Sequence, residues 1–385
     1  MLKIIFPIYH LLTVFIIPLL VIVSGFKYNT SLSADLSLIH SILFMVFFPL
    51  NGNVRHYILN SNNTIFVENL IWFRLLSYIP LFLLSIILCL VFTDLNIIYI
   101  FLIVFLGSLY WLNELFVSLE EKKTRYILVS FLLFIFIFLI YQITFATRLI
   151  ADNFFVLITL SICLLIILVT ISIEIKNNFN FKNLKTNIKK KIIPQISGTF
   201  IVGLSSFIFK TIILYFLHKD VAGTIFIAFT ISGSLLTFFT YGIGPSIISS
   251  EVSQKSDFVY KFIKGASILS FILGIILILL QSYGLIDFII IANQEIFVYC
   301  MSLCFLGIPF SVFGQYYKLQ ALHQNLNLKI YKYDAVQNIT VLPLAIFCVY
   351  FLPVYFIGLT YVYTGLLYCL IYRNYILRNL NYHNL

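Results

Sequence analysis

The sequence predicts an all-α polytopic membrane protein of about twelve transmembrane helices in two six-helix bundles, and three observations carry that prediction. Hydrophobic residues make up 62% of the chain and charged residues 10%, a balance far outside that of soluble domains. The apolar residues fall in runs of roughly 20, the length that crosses a bilayer as a helix. One long polar segment, Glu174-Ile-Lys-Asn-Asn-Phe-Asn-Phe-Lys-Asn-Leu-Lys-Thr-Asn-Ile-Lys-Lys-Lys191, lies near mid-chain. Its lysines are strongly disfavoured from crossing a bilayer, so it is expected to stay in the cytoplasm as a linker. The expected organisation is an N-terminal lobe over residues 1–175, a basic linker over 176–191 and a C-terminal lobe over 192–385.

Taken in order, Ile4 to Ser24 is long enough to cross, with Pro18 inside it. Lys27, Asn29 and Asp35 mark a short loop before a run from Leu36 that breaks at Pro49-Leu-Asn-Gly-Asn53. The cluster Asn60-Ser-Asn-Asn63 reads as a turn, and Trp72 to Phe92 crosses next. A turn at Asp94 and Asn96 leads into Ile97 to Val117, and Glu120 to Arg125 reads as a charged loop. Tyr126 to Phe145 and Phe154 to Ile173 complete six spans. Beyond the linker come Ile192 to Leu217, a turn at Lys219-Asp220, and Val221 to Ile248. Phe258 to Leu280, Ile296 to Tyr317, Tyr333 to Leu352 and Val354 to Tyr372 follow.

Charge tests the topology. Twelve spans with the linker inside put both termini in the cytoplasm. Of the 24 Lys and Arg residues, Lys27, Arg148 and Lys219 then fall outside and Lys210 falls within a span; all others fall on the cytoplasmic side. A shift of one span would spoil this asymmetry, which is the positive-inside pattern. The net charge of +10 is thus divided among short loops and does not form a nucleic-acid surface. The six cysteines lie inside apolar runs without metal-site spacing and read as packing residues, so no metal or cofactor is expected. The first apolar run leads into further spans and lacks a small-residue cleavage end, so no cleavable signal is expected. No P-loop, HExxH or nucleophile–base pair is present in the sequence, which points away from an ATP-driven pump or an enzyme.

A weak repeat links the halves. Phe66-Val67 matches Phe258-Val259, and Phe105-Leu-Gly107 matches Phe305-Leu-Gly307, in the same order and at similar offsets. Parallel repeats about an axis along the membrane normal are a transporter arrangement, with the expected substrate path between the halves.

At this point the residues resemble a family. Leu319-Gln-Ala-Leu-His-Gln-Asn-Leu-Asn-Leu-Lys-Ile-Tyr-Lys332 and Leu352-Pro-Val-Tyr-Phe-Ile-Gly358 resemble the C-terminal lobe of Wzx-type polysaccharide-unit flippases of the multidrug/oligosaccharidyl-lipid/polysaccharide (MOP) exporter superfamily. The eighth span, from Ala222 through Gly242-Ile-Gly-Pro245, is similar to that family too. The resemblance implies two bundles that alternate between inward- and outward-open states in a bacterial inner membrane. The implied cargo is a polyprenyl-diphosphate-linked glycan, with a polysaccharide polymerase and chain-length machinery as further partners.

Such a cargo needs cations for its diphosphate and polar or aromatic groups for its sugars. Charge inside a bundle is costly and usually faces a cavity. Lys210 is the leading candidate, on the same span as Gln195, Ser206 and Thr211; the alternative is that it snorkels to the headgroups. Arg55 follows a helix break that could aim a cation at an anion, although ending the second span at the headgroups is the preferred role. Arg74 stands two residues after Trp72, where an interface anchor is preferred over a substrate contact. Glu114 is a candidate coupling carboxylate, against a plainer position at the interface. Gly198, Gly203, Ser205, Gly223, Gly233 and Ser234 would let the seventh and eighth spans approach neighbours closely. Two rival readings stand beside the flippase: a polytopic polymerase or lipid-sugar transferase, which the short outer loops disfavour, and an ion-coupled exporter of the same fold.

Overall fold

The computed structural model describes residues 5–50, 64–123, 125–145, 161–169, 193–238, 256–286, 293–323 and 327–383, with positions 58, 159 and 291. Regular structure among the described residues is entirely helical. The helices of the first half are α1 (Ile5–Lys27), α2 (Thr30–Phe47), α3 (Thr64–Phe92), α4 (Ile97–Lys122), α5 (Tyr126–Phe145) and α6 (161–169). Those of the second half are α7 (Ile193–Phe216), α8 (Lys219–Phe238), α9 (Ser256–Ser282), α10 (Gln294–His323), α11 (Asn327–Phe351) and α12 (Leu359–His383). Short 3-10 turns at Phe48–Leu50 and Val354–Gly358 follow α2 and precede α12. Among the described residues nine helices are long and apolar enough to cross a membrane, so the chain is a multi-pass helical membrane protein. The linker, 176–191, lies outside the described residues.

Helix ends follow local chemistry. Asn29 precedes α2 and its Oδ1 accepts from the Leu32 amide at 2.6 Å. Asn96 does the same for the Ile98 amide at 3.2 Å, with extended backbone, as an N-cap does. Three boundaries differ from expectation. Asp35, expected in a loop, is helical and buried in α2. Glu120, expected in a charged loop, is the last buried side chain of α4, 3.9 Å from the Arg125 guanidinium. Lys219 and Asp220, expected as a turn, open α8. The reason is common to all three. A charged residue ends an apolar run, but it need not end a helix when an opposite charge lies within reach, as Lys219 does for Asp35 and Arg125 for Glu120.

The chain forms two compact units. The first comprises residues 1–20 and 38–203, the second residues 21–37 and 204–385. In the first unit α4 is central, with 83% of its span buried, whereas α3 turns most of its surface outward and is 11% buried. Leu76, Ile79, Leu83, Ile87 and Val91 of α3 are exposed apolar residues, which is the ordinary state of a surface solvated by lipid. Gly107 of α4 lies under α1 and α2; a Cβ there would stand 2.5 Å from Leu43 Cδ1 and 2.9 Å from Ile17 Cδ1. Tyr9 of α1 meets Phe136 of α5 edge-to-face at 5.4 Å, and Phe6 meets Tyr126 at 5.2 Å.

In the second unit α10 is central and packs on α8, α9 and α12. Its seam with α12 is made of small residues. A Cβ on Gly365 would lie 2.7 Å from Ser311 Oγ and 2.8 Å from the Gly307 carbonyl oxygen. One on Gly307 would lie 3.0 Å from Val362 backbone atoms, and one on Gly314 3.0 Å from the Cys369 nitrogen. Lipid supplies no hydrophobic drive between helices, so such backbone-to-backbone approach is what holds them together. Ile263, Phe305, Ile308 and Val312 complete the core around this seam.

The seam sets an expectation for stability. Gly365→Ala overpacks backbone against backbone and should cost about 1–3 kcal/mol, read as a lower melting temperature in detergent. Gly233→Ala is the control. Nothing lies within 4 Å of its Cβ position, so helix propensity should leave it neutral or raise stability by up to ~1 kcal/mol. Equal effects of the two substitutions would show that the seam is not tightly packed.

Candidate functional site

Lys210 lies inside the apolar span Thr199–Phe216 of α7. Its Nζ donates to the Ser37 carbonyl oxygen of α2 at 2.6 Å and stands 5.8 Å from the centre of the Phe226 ring of α8. Among the described residues no carboxylate is paired with it. The ammonium is therefore turned into the second unit, held by a backbone dipole and an aromatic face, and does not reach along the helix towards headgroups.

The segment that supplies Ser37 runs from the end of α1 into the start of α2 and is tied to α8. Ser24 and Ser33 share a hydrogen bond of 2.7 Å, and both donate to the Val21 carbonyl. Two residues before Ser37, Asp35 Oδ1 pairs with Lys219 Nζ at 2.8 Å. Thr30 Oγ1 donates to Asp220 Oδ1 at 3.3 Å. Gly223 lies directly against Thr30: a Cβ there would be 1.8 Å from its carbonyl oxygen. Of the small residues expected to permit close approach, Gly203 and Gly223 do so, Gly203 against the Met45 backbone; Gly233 faces open space. The sequence does not reveal the Asp35–Lys219 pair, because the partners are far apart in the chain and each reads locally as a loop residue.

A second group of charges lies in the first unit. Arg74 of α3 is completely buried, which corrects the interface-anchor reading. Its Nη2 donates to Glu114 Oε2 at 2.9 Å, Nη1 donates to the Trp111 carbonyl, and the guanidinium lies over the Trp111 ring at 4.7 Å. Glu114 is thereby neutralised within the bundle. Next to it Asn113 accepts from Tyr9 OH at 2.7 Å, and one turn of α4 earlier Ser108 shares a bond of 2.9 Å with Tyr78 OH.

A third group was not anticipated. Lys318, near the end of α10, donates to Asp334 Oδ2 of α11 at 2.6 Å, and Tyr372 OH of α12 donates to Oδ1 at 2.6 Å. Tyr368, Tyr372 and Tyr375 pack around the pair, with Tyr317 and Tyr333 beside them. The signal available in the sequence was Asp334 itself, a carboxylate within an apolar run, which is a functional candidate by default.

Other expected contacts do not join these groups. Gln195 belongs to the backbone of α7 but lies fifteen positions before Lys210, about 22 Å of axial rise, so one diphosphate cannot touch both. Arg55 lies outside the described residues. The cysteines are free; Cys89, Cys163, Cys300, Cys304 and Cys348 are buried and Cys369 is half-buried. Among the described residues no group of three or more His, Cys, Asp or Glu side chains is placed to hold a metal ion.

The Arg74–Glu114 pair makes a direct thermodynamic prediction. Losing one partner strands the other charge in a buried site, so Arg74→Met or Glu114→Leu should each cost about 3–5 kcal/mol. The double variant replaces the pair with apolar groups and should lose far less than the two single losses added together. Melting temperatures of the three purified variants test this. Strict additivity would show that the groups are not coupled.

No family model and no curated protein matches this chain. Solved structures do. A multidrug resistance MATE family transporter of the MOP superfamily, in an inward-facing conformation, superposes with a TM-score of 0.60 at 13% identity, covering 94% of this chain and 92% of that one. A eukaryotic MATE transporter, AtDTX14, superposes with a TM-score of 0.64 at 13% identity, covering 98% and 94%. Both alignments run almost end to end. This chain has the fold of the MATE transporters of the MOP superfamily.

Proposed function

We propose that this chain is a transporter that moves a lipid-diphosphate-linked oligosaccharide from the cytoplasmic to the periplasmic leaflet of a bacterial inner membrane by alternating access. The observation that carries the reading is Lys210, an ammonium inside an apolar helix with no carboxylate beside it among the described residues. A diphosphate is the part of such a cargo that would meet it. The likeness in fold to MATE transporters over nearly the whole chain supports transport as the class of activity. The resemblance of the second half to polysaccharide-unit flippases supports the cargo. In this reading Lys210 meets the diphosphate, Gln195 contacts the sugars, and Arg55 guides the headgroup from the linker side. Arg74 holds Glu114 in place and serves the cargo only indirectly.

A second reading keeps the same fold with a different cargo, an ion-coupled exporter of small molecules; one of the matched structures is described as a multidrug resistance transporter. In that case Glu114, once parted from Arg74, is the carboxylate to carry the coupling ion. A membrane enzyme of glycan assembly is the weakest of the three, since neither the fold likeness nor the sequence motifs support it.

Depletion of the protein separates these readings. Complete lipid-linked repeat units should accumulate in the inner leaflet while surface polymer disappears. Units that reach the outer leaflet but stay unpolymerised would point to a polymerase, and an unchanged glycan profile to the exporter. At the residue level, Lys210→Ala should abolish transport without lowering membrane abundance, and Lys210→Arg should retain part of it. Wild-type transport by Lys210→Ala would remove Lys210 from the mechanism.

A further inference from the structure

Lys210 is covered by a piece of chain that is fastened elsewhere. The cover is the start of α2, and its contacts fall in a row along one rigid helix. Thr30 lies on Gly223 and bonds Asp220; Asp35 bonds Lys219; Ser37 lends its carbonyl to Lys210. Asp35 and Ser37 are two residues apart, so one cannot move by several ångström while the other stays. The tip that carries them is itself braced by the bonds that Ser24, Ser33 and Val21 make, and by the Asn29 cap. The Ser37 carbonyl, at 2.6 Å, occupies a position that a phosphate oxygen would take on the ammonium. The Ser37 side chain is buried, and the Phe226 ring closes another side.

We propose that residues 30–37 form a cap that withholds Lys210 from its anion, and that the Asp35–Lys219 ion pair is the fastener which must open before the cation is presented. The proposal rests on Lys210 being the anion contact. Asp35 and Lys219 are positioning residues in it: they touch no cargo, and they set how often the cap is lifted. The geometry suits a reversible catch. The Lys219 side chain is 31% exposed and the Asp35 side chain 8%, so one partner is accessible and the pair can part without stranding two fully buried charges. Gly223 has no side chain to hold the cap off, and its contact is with backbone, which cannot yield as a flexible side chain would.

The labelling arm of the test does not depend on knowing the cargo. In a chain freed of its native cysteines, Ser37→Cys reports the cap through its reaction with a membrane-impermeant methanethiosulfonate. With the fastener intact the thiol should react slowly. Lys219→Gln or Asp35→Asn should accelerate the reaction about fivefold, the shift expected for loss of an ion pair at the strong end of partly exposed pairs. Gly223→Val should accelerate it by a second route, and exchange of the charges (Asp35→Lys with Lys219→Asp) should bring the rate back. With Ser37 left native, a disulfide between Asp35→Cys and Lys219→Cys should stop transport, and reduction should restore it.

Unchanged labelling in all the fastener variants, or full transport by the cross-linked chain, would overturn the proposal. If labelling responds as expected but no glycan is carried, the cap stands and the cargo assignment fails. If glycan is carried and labelling never responds, the cargo assignment stands and the cap fails.

Discussion

The bilayer offers polar groups no partner, and the rest of this structure follows from that constraint. Helices answer it for the backbone, because each N–H and C=O is satisfied within its own span. Hydroxyl groups answer it in the same local way: Ser118, Thr211, Thr224, Thr230, Ser232 and Ser302 each donate to the carbonyl four residues earlier. Apolar positions then need not gather on one face, since lipid solvates the outside as well as protein does the inside. What distinguishes the interior is closeness of packing, and the glycines of α10 and α12 supply it by letting backbone meet backbone.

Charges cannot be satisfied so locally, and they form the long-range framework. Arg74 with Glu114 ties α3 to α4 in the first unit; Lys318 with Asp334 and Tyr372 ties α10, α11 and α12 in the second. Each guanidinium or ammonium in these groups also lies near an aromatic face, Trp111 for Arg74 and Tyr368 for Lys318. Such pairs contribute little net stability compared with apolar replacements, but losing one member is expensive, so they act as constraints on which helices can be neighbours. Lys210 differs in kind. Its contacts are a carbonyl dipole and a ring, neither of which cancels its charge.

The second unit takes residues 21–37 from the first half of the chain, and this arrangement makes the Lys210 site composite. The helix that carries the lysine is from the second half; the carbonyl that holds it is from the first. A substitution in α2 can thus alter the surroundings of Lys210 in α7. The Asp35–Lys219 pair and the Ser37 carbonyl that holds Lys210 are joined by covalent continuity over two residues.

The membrane class, the long apolar helices among the described residues and the intramembrane lysine were legible in the sequence alone, because each follows from local composition: apolar runs of span length, and a charge inside one of them. Asn96 as a helix start was legible for the same reason. Helix ends next to charges were not. Asp35, Glu120 and Lys219 read as loop residues because a charge without a partner belongs in water, and the pairing of Asp35 with Lys219 could be found only once distant segments were folded together. The role of Arg74 shifted on that account too, from headgroup anchor to buried pair, since Glu114 is 40 residues away. Composition decides which solvent a segment prefers. Only the tertiary structure decides which polar group meets which, because that depends on distances between helices that no local pattern encodes.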